Sequence, residues 1–101
     1  NPKEAKNPPL KDILGNLNSV NNLPRYELRA QFEDGLNDAE ISQYTTTWFV
    51  YQGEVSKFRT IGADVLNWTW PLNWNEQELA PFVIAVSRDK KGGESFLLKS
   101  L

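Results

Sequence analysis

From Tyr26 onward this chain keeps returning to one pattern: a short run of alternating aromatic or β-branched residues, then a turn built on Gly, Asp or Asn. The runs are YELRAQF, YTTTWFVY, EVSKFRT, DVLNWTW, FVIAVS and ESFLLKSL. A side-chain period of two belongs to strands, because successive Cβ atoms point to opposite faces of a sheet. Strands this short, separated by turn residues at this spacing, predict an all-β antiparallel sandwich of about seven strands.

The 101 residues suffice for one hydrophobic core and not for two. Four Trp and five Phe mark the chain as globular rather than disordered. A net charge of −2, with both signs interspersed, carries no electrostatic footprint for nucleic acid or an anionic membrane. No apolar run approaches the ~20 residues that span a bilayer. The absence of Cys excludes a disulfide scaffold and a thiolate zinc site, and is compatible with cytosol, periplasm or a bacterial surface. His is absent too, and no motif has a catalytic spacing, so the chain reads as non-catalytic. It opens Asn1-Pro2-Lys3 rather than on Met, and NPKEAKNPP has the composition of an interdomain linker. Residues 1–9 are therefore expected to be linker and 10–101 a single domain of a longer polypeptide.

Residues 10–20, LKDILGNLNSV, fit two readings. Leu10, Ile13, Leu14 and Leu17 share a helical face, which predicts a short N-terminal helix. Ile13, Gly15 and Leu17 share one face of a bent strand, and Gly15, Asn16 and Asn18 are poor helix formers, which favours the strand. Residues 26–33 are a clear strand, with Tyr26, Leu28, Ala30 and Phe32 inward and Glu27, Arg29, Gln31 and Glu33 outward. A polar, acidic loop follows over 34–43. Residues 44–51 carry bulk on both faces and are expected to be covered, at least partly, on both sides. Gln52-Gly53 supplies a hairpin turn, after which the chain returns through Val55 and Phe58.

Residues 64–72 give a strand with Leu66, Trp68, Trp70 and Leu72 on one face; Pro71 ends it or puts it at an edge. Asn75 to Glu78 has the N-cap spacing for one helical turn. The last hairpin runs Phe82–Arg88, the turn 89–93, then Glu94–Leu101. Phe82, Ile84, Val86, Phe96 and Leu98 are its expected core residues.

The segment WFVYQGEV (Trp48–Val55), an aromatic-rich strand followed by a tight Gly turn, resembles the C–C′ ribbon of immunoglobulin-like domains. FVIAVSRDKKGGESFLLK (Phe82–Lys99) is similar to their F–G hairpin, and YELRAQF to their strand B. The resemblance covers roughly three quarters of the chain at the level of fold and implies a seven-stranded arrangement of the kind that family shares. It puts Trp48 at the core Trp position. Ala30 and Ile84 stand where an antibody-type Cys pair would be, and Phe82 where a corner Tyr would be. The pattern is nearer to Cys-free bacterial Ig-like, fibronectin-like or polycystic-kidney-disease-like modules.

Two surfaces are candidate sites. Trp68, Trp70 and Trp74 cluster in LNWTWPLNW, and exposed Trp faces stack on sugar rings in many carbohydrate-binding modules. The structural alternative is that Trp68 and Trp70, at i and i+2 between Leu66 and Leu72, form a strand's inward face. The acidic loop with Asp34, Asp38 and Glu40, together with Asp89 of the last turn, offers hard oxygen ligands of the kind Ca²⁺ takes. Solvated turns are the commoner outcome for such loops. Asp34 and Asp38 as an acid–base pair lack a pocket to tune them, and the sequon at Asn67-Trp68-Thr69 is a chance match. The expected function is a non-catalytic Ig-like module of a larger, extracytoplasmic bacterial protein, acting in spacing, domain docking or protein–protein contact. A carbohydrate-binding accessory module is the alternative. The partners implied are proteins or neighbouring domains, with a glycan second and no cofactor.

Overall fold

The computed structural model describes residues 7–20, 23–71 and 79–101. In chain order its elements are β1 (Leu10–Val20), β2 (Leu23–Phe32), α1 (Asp38–Ile41), β3 (Thr45–Tyr51), β4 (Glu54–Val55), β5 (Arg59–Ile61), β6 (Leu66–Thr69), β7 (Phe82–Arg88) and β8 (Glu94–Ser100). The strands form two four-stranded sheets, in the orders β1-β2-β6-β4 and β5-β3-β7-β8, and every pairing is antiparallel. The expected all-β, two-sheet architecture is what this chain adopts. The eighth strand is the two-residue β4.

Residues 10–20 are strand, not helix. They pair with β2 along their whole length, from Leu10 opposite Phe32 to Val20 opposite Leu23, with one register shift between Leu10 and Asp12. A complete ladder beside a well-patterned strand outcompetes a short helix interrupted by Gly and Asn. Of the expected linker, residues 1–6 lie outside the described residues. Asn7–Pro9 tie the start of β8 to the end of β2: Glu94 N–H donates to Asn7 Oδ1 (3.2 Å), Ser95 Oγ to Pro8 O (2.6 Å) and Glu33 N–H to Pro9 O (2.9 Å).

The acidic stretch 34–43 contains a helical turn that was expected to be loop. Asn37 Oδ1 accepts from Glu40 N–H (2.8 Å), and Asn37 N–H donates to Glu40 Oε1 (3.2 Å). This is a capping box, whose sequence signature is a cap residue with Glu three positions on. The same signature was read at Asn75, which lies outside the described residues.

The core lies between the sheets. Ile13, Leu28, Ala30 and Phe32 come from β1 and β2, Leu66 and Trp68 from β6, and Trp48, Val83 and Ala85 from β3 and β7. Trp48 is 1% exposed, and its indole N–H donates to Thr60 Oγ1 on β5 (2.9 Å). Beside it, the buried hydroxyls of Thr46 and Ser87 bond each other across β3 and β7 (2.7 Å). Trp68 is 0% exposed and donates to Gln52 O (3.1 Å). Burial of an indole N–H without a partner would cost more than the ring's packing could spare, so each bond fixes where its ring can sit.

Trp68 also redirects the turn after β3. Gln52 (φ 68°) and Gly53 (φ 83°) both take positive φ, as a tight hairpin turn requires. The chain does not fold straight back along β3, however. It crosses to the first sheet, where β4 pairs with β6, and only then returns to β3 as β5. Phe58 lies at that crossing and is exposed.

The last hairpin faces the opposite way from the expectation. Trp48 stands directly opposite Ala85, Thr46 opposite Ser87 and Val50 opposite Val83. Directly opposed residues of an antiparallel pair share a face, so an inward Trp48 carries Val83, Ala85 and Ser87 inward. Phe82, Ile84 and Val86 are thereby turned outward and only partly buried, while Phe96 and Leu98 on β8 are exposed. Ala85, not Ile84, is the buried residue at this point of β7. β3 is likewise one-sided: Phe49 and Tyr51 are exposed rather than covered.

Trp48→Ala should destabilise the domain by about 3–5 kcal/mol, through lost burial plus an unfilled cavity. Gly53→Ala should also be severe, because a methyl group there would run into the Trp68 indole and the Thr69 carbonyl. At Gly92 (φ 99°) the same substitution meets nothing within 4 Å. It should therefore cost only the backbone strain of about 1–2 kcal/mol. Chemical denaturation of the three variants checks this; equal losses at Gly53 and Gly92 would remove the Trp68 contact as the cause.

Candidate functional site

The outer faces of the two sheets differ in kind. On the first sheet, Glu27, Arg29 and Gln31 of β2 alternate with its core residues and give that face a polar, charged surface. On the second sheet, the outer face is built in rows by the ladder register. Phe49, Ile84 and Leu98 form one row across β3, β7 and β8; Thr47, Val86 and Phe96 form the next; Tyr51 and Phe82 begin a third. The rings of Tyr51 and Phe82 stack at 5.2 Å with 17° between planes. Exposure runs from 38% at Tyr51 through 52% at Phe49 and 58% at Leu98 to 71% at Phe96, with Ile61 of β5 at 54%. Contiguous apolar patches of this kind are rare on the surface of an isolated soluble domain and mark contact surfaces. At one end the patch is bounded by the Arg88–Glu94 ion pair (2.9 Å) between β7 and β8.

The Trp set does not form a platform among the described residues. Trp68, expected as a ligand-stacking ring, is wholly buried and has both faces in the core. Trp70 is half-buried and meets Trp68 edge-on, with centroids 5.3 Å apart and planes at 82°. An edge-on pair presents no common plane to a sugar. Trp74 lies outside the described residues.

The acidic residues are dispersed and occupied. Asp34 pairs with Lys11 at 3.6 Å on an open surface. Glu40 is engaged in the capping box, and Asp38 sits in the first turn of α1 with its backbone carbonyl accepting from Ser42. Asp89 Oδ1 accepts from Lys91 N–H (2.8 Å) and Gly93 N–H (2.6 Å), which closes the β7–β8 turn. No group of three or more carboxylates placed to hold a metal ion occurs among the described residues. A depression of about 270 Å³ opens beside this loop, lined by Leu14, Arg29, Phe32, Asp34, Leu36 and Ile41 among others. It is open to solvent on one side, and Asp38 is not in its wall.

No family model matches this chain, and no curated protein or solved structure matches it significantly. The site therefore stands on its own geometry. Sequence reading missed the apolar outer face because it sent Phe96 and Leu98 inward. The signal that finds it is the size rule across a pair: a Trp on β3 leaves room opposite only for a small residue, which is Ala85 and not Ile84.

Two measurements follow from this geometry. In a chain carrying Trp70→Phe and Trp74→Phe, Trp48 and Trp68 should emit in the blue and resist iodide; quenching close to that of free Trp would expose one of them. Asp89→Ala should lower stability by about 1–3 kcal/mol, the loss of two turn hydrogen bonds to a charged acceptor, equally with and without calcium. A loss seen only in the presence of calcium would make Asp89 a ligand.

Proposed function

We propose that this chain is a non-catalytic Ig-like module of a larger, extracytoplasmic bacterial protein, and that its task is contact with a protein or a neighbouring domain through the outer face of the second sheet. The observation that carries the reading is the row-wise apolar face of Phe49, Ile84, Leu98, Val86 and Phe96, set against a polar face on the other side. The strand order supports the Ig-like part of the reading. β1, β2 and β6 stand as strands A, B and E, and β5, β3, β7 and β8 as C′, C, F and G, with Trp48 buried on strand C. Two small core residues, Ala30 on β2 and Ala85 on β7, face the core from the two sheets, and the chain has no Cys.

A spacer with no contact role needs no apolar outer face, and a glycan module would use Trp70 and Trp74 rather than this surface. A photo-reactive amino acid at Phe49 in the full-length protein should cross-link to a neighbouring domain or partner protein. The same probe at Arg29, on the polar face, should not. Equal labelling from both positions would sink the contact reading. Retardation by a glycan in affinity electrophoresis, lost in Trp74→Ala, would move the assignment to carbohydrate binding.

A further inference from the structure

The apolar face ends at an open strand edge, and that edge has the chemistry to pair with itself. Along β7 and β8, Asp89 N–H donates to Gly93 O (3.0 Å) and Leu101 N–H to Pro81 O (2.9 Å). In an antiparallel ladder every second pair exchanges hydrogen bonds. Residues 93, 95, 97, 99 and 101 therefore bond inward to β7, and the N–H and C=O groups of Glu94, Phe96, Leu98 and Ser100 point away from the sheet. Glu94 N–H agrees, since it is taken by Asn7 Oδ1. Beyond it, no described strand pairs with the outer side of β8.

The other three sheet edges are blunted in the ways natural edges are. β4 has two residues and β5 three, while β1 carries Lys11, Asp12, Gly15 and Asn16 along its length. β8 carries charge at Glu94, at one end of its outer face, and at Lys99 on the alternate face, but it is seven residues long and its central outer residues, Phe96 and Leu98, are both exposed and uncharged.

We propose that two copies of this chain associate by antiparallel pairing of β8 with β8 about a two-fold axis at Leu97, joining their second sheets into one continuous sheet. This deepens, and rests on, the reading of that face as a contact surface. The register follows from the outward groups. A two-fold axis at Leu97 sets Phe96 opposite Leu98 of the second copy in a hydrogen-bonded pair, and Leu98 opposite its Phe96. The two apolar rows then run on from one copy into the other. Lys99 faces Ser95 and Glu94 faces Ser100, so no like charges are opposed; since Asn7 holds Glu94 N–H, the pairing rests on the two pairs of Phe96 with Leu98. An axis at Leu98 would set Phe96 against Ser100 and break the Phe96 row. An axis at Phe96 would set Leu98 against Glu94 and break the Leu98 row. A self-complementary patch of this kind closes as a dimer and does not polymerise. Because it buries one strand edge and a few side chains, the association is weak and concentration-dependent.

Sedimentation equilibrium should show a monomer–dimer equilibrium for the wild-type chain. Leu98→Lys should weaken it by about tenfold or more, because the two-fold axis removes the same apolar contact twice. Arg29→Ala, on the opposite face, should leave it unchanged. The register has a test of its own in a chain that has no Cys. Ser95 and Lys99 of the second copy form a non-hydrogen-bonded pair, whose Cα spacing of about 4.5 Å suits a disulfide. An equimolar mixture of Ser95→Cys and Lys99→Cys chains should oxidise to the mixed dimer, well ahead of either chain alone. A monomeric wild type, a dimer indifferent to Leu98→Lys, or homodisulfides forming as fast as the mixed one would each overturn the proposal. Were the Phe49 cross-linker still to reach a partner in those cases, the contact surface would stand without self-pairing. Were it to reach none, both readings would fall.

Discussion

The indole N–H of Trp48 and its bond to Thr60 set the terms for the rest of the sandwich. Sheets stack about 10 Å apart, so one Trp from β3 nearly fills the gap over its own position. Its ring can lie flat in the core only because Ala85 stands opposite it on β7. Its N–H reaches a hydroxyl only because β5 returns beside β3 and presents Thr60 inward. The second Trp answers the first from the other sheet. Trp68 sends its N–H to Gln52 O, and so pins the loop that leaves β3 against β6. Two buried donors, each with one partner, thus decide the path of everything between Tyr51 and Arg59.

That constraint explains why the hydrophobicity of this chain is distributed as it is. With Trp48 inward, the inward partners on β7 must be small or polar and paired: Val83, Ala85 and Ser87, the last bonded to Thr46. The larger residues of the same strand, Phe82, Ile84 and Val86, have only the other face left. Alternation then passes the assignment to β8, where Phe96 and Leu98 align with Val86 and Ile84. One side chain on β3 therefore determines the surface of a strand two places away in the sheet.

What could be read from the sequence was what depends on local pattern alone. The strands, their antiparallel hairpins, the inward face of β2 and the burial of Trp48 all follow from alternation and turn residues. Leu28, Ala30 and Phe32 were legible because their strand alternates cleanly with charged residues, which leaves one choice of face. The hairpin of β7 and β8 was not legible in that way, since its more apolar face, Phe82, Ile84, Val86, Phe96 and Leu98, is the one turned outward, and hydrophobicity ranks the faces the wrong way round. Only the cross-strand partner ranks them correctly, and that requires the register. The capping box at Asn37 was legible and passed over, because its acidic neighbours suggested ligands before they suggested a helix end. The detour of β4 was not legible at all: Gln52-Gly53 announces a turn, but the indole that pulls the chain aside comes from residue 68.

The surplus of apolar side chains on the second sheet is then a consequence with a direction. Scattered exposed hydrophobics are ordinary on any protein surface, since apolar atoms make up more than half of it. Here they are aligned by register on one face and carried up to the edge strand β8, whose central outer residues are uncharged. A domain of this size has no second layer with which to cover that face. Burying it instead by inverting the hairpin would expel Ala85 and press Ile84 against Trp48, an overpacking that costs about 1–3 kcal/mol. The outward placement is thus what the core demands, and it leaves Phe49, Phe96 and Leu98 exposed among the described residues.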